Sequence, residues 1–225
     1  VSEKAFDAAV HHRIGLGRYS SWLVRRILAQ LNRNERAIVA KVAEMGPDGA
    51  SAGRLELLIE ALRLLQAEGW LVIKRRVTED LAQLAGAEAE FAAKLVRFTG
   101  ARGTFSPAPA VAQVWAAVVA RPFQGRFLQG WLDGAEEAAA RRVRETVRQG
   151  FIDGQPTAEI VRALRGTKAR QYRDGVLEGS RRGVEAMVRT AVTHTSNVAH
   201  QEVYRANADI IEGVEWVSVL DSRTT

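Results

Sequence analysis

Histidine is the side chain best suited to moving protons or holding a metal near neutral pH, and this chain has four: His11, His12, His194 and His200. A two-histidine metal site on one helix needs its ligands four residues apart, on one face. His194 and His200 are six apart and fall on different faces, and His11 and His12 are adjacent and point apart. No His-Glu-x-x-His, Walker loop or Gly-x-Ser-x-Gly occurs. Cysteine is absent, which removes disulfides, thiolate metal sites and a cysteine nucleophile. Glu136 and Glu137 are neighbours on a charged helix face, not a facing pair. Gly15-Leu16-Gly17 lacks the preceding strand and third glycine of a phosphate loop. The expectation is a protein without catalytic residues, metal, other cofactor or small-molecule substrate.

Two constellations remain. Thr190, His194, Asn197, Gln201, Tyr204 and Arg205 lie three or four residues apart, as one polar stripe on a long helix. Such a stripe supports a neighbouring helix or strand, binds a partner, or carries chemistry. The second constellation is basic. Arg162, Arg165, Lys168, Arg170, Arg173, Arg181 and Arg182 crowd residues 162–182, and only Tyr172 among them could stack on a base. That composition neutralises phosphates without reading sequence. The start, PTAEIVRALRG, resembles the first helix of a helix-turn-helix, but Gly175 and Gly179 cut the stretch where a recognition helix would lie. Arg25, Arg26, Arg33 and Arg36 fall mostly off the apolar stripe of an N-terminal helix, as a solvated face or a second nucleic-acid surface.

Charge patterning agrees. The net charge is +6. Residues 1–45 carry 8 basic and 4 acidic side chains, and residues 162–182 carry 7 and 2, so these two stretches hold the excess. With 47% hydrophobic and 26% charged residues, 225 residues suffice for a folded core. The charged N-terminus shows no secretion signal, so a cytoplasmic origin fits. The longest apolar run, Ala108–Ala120, is far short of the roughly 20 residues a membrane span needs. It is expected to be a helix buried on most sides, with a membrane-interacting segment as the alternative.

The elements that must position these residues are helices. Residues 3–14 read as one, interrupted by Gly15 and Gly17. Ser20 or Ser21 then caps another, with Trp22, Ile27, Leu31, Ile38 and Val42 on its apolar side. Residues 51–67 form a third, ended by Gly69. Leu71-Val72-Ile73 could be a turn of strand, and Thr78 opens a helix to about Phe98. Helices are also expected over 110–120, 126–149 (stopped by Gly150) and 180–208, with a short one carrying Ile160, Val161 and Leu164 between the Asp153–Thr157 turn and Gly166. Val214, Trp216, Val219 and Leu220 read as a strand. The expected fold class is mainly α, an elongated multi-helix assembly with a short β segment at the C-terminus. Its regions would be an N-terminal helical part (1–105), a helical core (106–212) and the start of a β-rich segment (213–225).

The final stretch carries a resemblance. Arg189-Thr190 and its following helix with His194, Asn197 and Tyr204, then Trp216 and Asp221-Ser222-Arg223-Thr224, resemble the signature of the phage head morphogenesis family, minor head proteins similar to the F protein of phage Mu. The helix ending at Gly150 and the unit from Asp153 to Gly166 resemble the family's upstream part, so the likeness spans about 127–225. It implies a non-enzymatic, few-copy virion component, made in the bacterial cytoplasm and seated at the portal vertex inside the capsid. Its implied partners are the portal protein, a major capsid or scaffold protein, and packaged double-stranded DNA. In the family, the Asp-Ser-Arg-Thr segment opens a Cys- and His-containing region. This chain stops at Thr225, so no metal or enzymatic domain of that region carries over, and the terminal strand would be an open edge. A free-standing helical DNA-binding regulator, or the delivery module of a longer toxin-bearing polypeptide, are the alternatives.

Overall fold

The structure, a computed structural model, describes residues 3–46, 51–99, 107–211 and 213. The helices are α1 (Glu3–Met45), α2 (Ala52–Thr99), α3 (Val111–Ala120), α4 (Leu128–Ile152), α5 (Thr157–Arg165) and α6 (Val176–Ala206), with a 3₁₀ turn at Lys168–Arg170. The protein is mainly α, as its periodicity predicts. The terminal strand and Trp216, Asp221, Ser222, Arg223 and Thr224 lie outside the described residues.

Three sequence expectations are corrected. The first helix does not break at Gly15 and Gly17, nor restart at Ser20 or Ser21; α1 runs through all four. Each helical glycine costs about 1 kcal/mol relative to alanine. The row Leu16, Ser20, Leu23, Ile27 and Leu31, buried at helical spacing, outweighs that cost. Trp22, assigned to this row by sequence, is 42% exposed instead. The second correction is α2, which neither ends at Gly69 nor becomes a strand at Leu71-Val72-Ile73. Trp70, Ile73, Val77, Leu81 and Leu84 recur every three or four residues and are all buried, while Leu71 points outward at 69% exposure. The period is helical throughout, and Thr78 is interior. Third, α3 is buried along one stripe, Val114 and Val118, with Val111 and Val119 exposed. It lies on the outside of α2 and α6 rather than between helices. Smaller shifts fall at helix ends: α4 passes Gly150 to stop at the Asp153-Gly154 turn, and α6 begins at Val176, four residues before its expected start.

At 1.5 Å per residue, α1 and α2 are rods of roughly 65 and 70 Å. Their cross-links set the direction. Asn34 meets Gly69, Arg26 and Tyr19 meet Asp80, and His12 meets Glu88. Residue numbers rise on one helix as they fall on the other, so the two are antiparallel. Helix α6 reaches Glu35 of α1 through Arg181, and Glu88 of α2 through Ser196. It therefore runs parallel to α2 and against α1.

The core is three apolar layers along these rods. At one end Ile38, Val42, Leu58, Leu62, Val143, Val147, Ile160 and Leu164 join α1, α2, α4 and α5. In the middle Leu23, Ile27, Leu31, Trp70, Ile73, Val77, Leu132 and Val188 join α1, α2, α4 and α6. At the far end Ala85, Ala89, Ala92 and Ala93 let α2 lie close under Val114 and Val118 of α3 and Val198 and Val203 of α6. Every layer draws on both the 1–105 and the 106–212 region.

Helix α1 comes close to α2 at Gly69. A β-carbon there would sit 2.3 Å from the side chain of Asn34, which is itself buried. Gly69→Ala is expected to destabilise the protein by about 1–2 kcal/mol through overpacking, although alanine is the better helix former. With Asn34→Ala in place, the same change should stabilise by up to about 1 kcal/mol. Urea unfolding of the two single variants and the double variant reads this inversion of sign.

Candidate functional site

The basic segment is built on α5. Pro156 precedes its first turn, where Glu159 complements the helix dipole, and Arg162 and Arg165 occupy the last turn. Ile160 and Leu164 are wholly buried, so the other face, with Arg162 and Arg165, points outward. Gly166, at φ +87°, ends the helix.

The chain then makes a small closed loop. Thr167 donates through its amide (2.8 Å) and its hydroxyl (2.7 Å) to the two oxygens of Asp174. Those two bonds hold the Asp174 carboxyl below its ordinary range. Gln171 and Tyr172 turn the backbone at φ 55° and 62°, a left-handed conformation costing about 1–2 kcal/mol per residue. Gly175 returns against Arg165 and Gly166 so closely that a β-carbon would lie 2.4 Å from their backbone atoms. The Arg165 guanidinium stacks over the Tyr172 ring at 4.5 Å and donates to its hydroxyl at 3.1 Å. Arg162, Arg165, Lys168 and Tyr172 line a shallow depression of about 250 Å³ there.

Five of the seven predicted contacts, Arg162, Arg165, Lys168, Arg170 and Arg173, are exposed on this corner, and none is ion-paired to a carboxylate among the described residues. The other two belong elsewhere. Arg181 reaches into the bundle, with Nε 2.9 Å and Nη2 2.5 Å from Glu35, and Arg182 pairs with Glu178 on the surface. Among the described residues no recognition helix follows α5; the only helical turn before α6 is Lys168–Arg170. The helix-turn-helix alternative is therefore not formed here.

The N-terminal basic face is weaker than the sequence implies. Arg26 lies over Trp22 and pairs with the buried Asp80 at 3.2 Å. Arg33 donates to Gln30. Arg25 and Arg36 remain exposed.

Two members of the polar stripe of α6, His194 and Gln201, meet α3 and the turn after it. His194 Nε2 lies 3.2 Å from the Val118 carbonyl and its ring 4.8 Å from Phe123. Arg121 donates to Gln201 at 2.9 Å and also to Glu202. Thr190 bonds back to the Ala186 carbonyl, Arg189 pairs with Glu185, and Arg205 pairs with Glu202. Burial raises the Tyr204 hydroxyl pKa. Asn197 is exposed. Of the three uses open to this stripe, support of a neighbouring helix is the one this geometry fits.

The sequence missed one constellation. His12 of α1 and His200 of α6 converge on Glu88 of α2, at 2.8 Å and 3.2 Å. Ser196 donates to the same carboxylate at 2.5 Å. Burial pushes the Glu88 carboxyl up, but His200, Ser196 and His12 together hold it below its ordinary value. Spacing could not reveal this cluster, because its members come from three helices, with His12 and Ser196 lying 76 and 108 residues from Glu88.

Comparison of the chain with protein families, with characterised proteins and with solved structures found no match.

The Arg181–Glu35 pair has a consequence for stability. Burial pushes the Glu35 carboxyl up to about 7, against the opposing pull of Arg181. A carboxyl raised above its unfolded value favours the folded state most when protonated. Stability is thus expected to fall as pH rises from about 4.5 to about 7, by on the order of 3 kcal/mol from this group, and to level off above. Glu35→Gln should remove that decline. Urea unfolding of both proteins at about pH 5 and about pH 8 measures the difference.

Proposed function

We propose that this chain is a non-enzymatic phage minor head protein. It sits at the portal vertex inside the capsid, aids head assembly, and handles packaged double-stranded DNA by contacts that ignore sequence. Its partners are the portal protein, with major capsid or scaffold protein as a further contact, in several copies around the portal. One observation carries the reading: Arg162, Arg165, Lys168, Arg170 and Arg173 are exposed at one corner and outnumber its single carboxylate, Asp174, with no ion pair to any of them among the described residues. Guanidinium and ammonium groups held this way release counterions from phosphates wherever the backbone passes. The resemblance over residues 127–225 supplies the setting. No described helix is long and apolar enough to cross a membrane.

The α5 corner suits backbone contact rather than base readout. Its cations sit on a tight loop and a helix end, and the described helix that follows, α6, is packed into the bundle from its first turns through Leu177, Ser180 and Val184. Arg165 stacked on Tyr172 presents a planar, pre-organised fork for a phosphate.

Gel retardation with two unrelated duplexes tests this. The wild-type chain should bind both alike. Reversing Arg165, Arg170 and Arg173 to glutamate should weaken binding and flatten the slope of log affinity against log salt by up to about 3. Unchanged binding at low salt would remove the corner from the account, and a strong preference for one duplex would favour a sequence-reading regulator.

A further inference from the structure

The convergence of His12, Glu88 and His200 lies well away from the cationic corner and takes no part in DNA contact. One ligand atom from each of the three residues lies within 4.8 Å of the others. We propose that His12, Glu88 and His200 bind a divalent cation of the zinc class, joining α1, α2 and α6.

Two imidazole nitrogens and one carboxylate are a donor set for a borderline cation such as zinc, rather than for calcium or magnesium, which take oxygen. Around tetrahedral zinc, donor atoms about 2.0–2.2 Å from the metal lie roughly 3.3–3.5 Å from one another. The two histidine-to-carboxylate contacts, 2.8 and 3.2 Å, are already near that spacing. The two ring nitrogens, no more than 4.8 Å apart, are the pair that must draw together on binding.

Three further observations bear on the site. His200 Nε2 is buried, lies 3.2 Å from Glu88 and meets no other hydrogen-bond partner. His12 is stacked on Phe91, with centroids 3.5 Å apart and planes within 4°, which fixes the ring aimed at the carboxylate. Ser196 donates to Glu88 from the side, the outer-shell bond that orients a ligating carboxylate. Glu88 is only 3% exposed, whereas the two histidines are 26% and 24% exposed. A water would complete the coordination. With ligands from three helices, the ion would tie the start of α1 to the bundle.

The test uses the full chain, stripped with chelator and dialysed against Zn²⁺ alone or Co²⁺ alone near neutral pH. One ion per chain is expected. His12→Gln and His200→Gln should each weaken binding by more than the roughly 10–100-fold typical of losing an outer-shell partner, while His11→Gln and His194→Gln leave it unchanged. Circular dichroism checks that each variant folds. Should one fail, the visible spectrum of the Co²⁺-loaded wild type decides. Intense bands of four- or five-coordinate cobalt support the site, and the weak spectrum of six-coordinate aqueous cobalt overturns it. No ion retained by the wild type, or undiminished affinity in folded His12→Gln and His200→Gln, would also overturn it.

Discussion

Two helices of 43 and 48 residues laid side by side could slide by one turn and still bury much of the same apolar surface, because leucine, valine and alanine recur along both. Buried carboxylates prevent this. Glu35 of α1 is held by Arg181 of α6, Asp80 of α2 by Arg26 of α1, and Glu88 of α2 by His12 of α1 and Ser196 of α6. A slip of about 5 Å, one helical turn, would strip each of its partner. An unpaired buried charge costs several kcal/mol. The polar contacts therefore select one register from several that the apolar layers alone would tolerate, at some cost in stability, as the raised Glu35 carboxyl shows.

That register decides what each end of the bundle presents. Fixing Arg181 on Glu35 places the start of α6 against α1, so the segment from Gly166 to Gly175 is squeezed outward as a loop. Fixing Ser196 on Glu88, at the other end, brings His200 beside His12. The cationic corner and the histidine–carboxylate cluster are thus two outcomes of one alignment of α1, α2 and α6. Arg181 is instructive here. Counted by sequence among the phosphate-binding cations, it spends its charge on a buried carboxylate and belongs to the scaffold.

Legibility in the sequence followed the range of the forces involved. Helix α5 and its stop at Gly166 were readable because Pro156, Glu159 and Gly166 act within a turn of themselves. The interiors of α1 and α2 were misread for the complementary reason. A glycine or a Val-Ile pair biases its own neighbourhood by about 1 kcal/mol or less, and the buried rows around Leu23 and Trp70 override it through contacts that a local window does not contain. The outward face of α3 was likewise invisible, since an apolar run does not say how many neighbours will cover it. The cationic segment was legible as composition, but not its division between Arg181, which turns inward, and Arg173, which turns out. The histidine cluster was not legible, because its spacing exists only in three dimensions.

The loop between Gly166 and Gly175 leaves and rejoins the bundle at nearly the same point, with its own Asp174–Thr167 clasp closing it. Nothing in the apolar layers depends on what lies between those two glycines. The segment is in effect an exchangeable cassette. Its length, its count of arginines or its whole sequence can be rewritten while α5 and α6 stay where they are. The scaffold and the charge displayed at this corner can consequently vary on separate schedules.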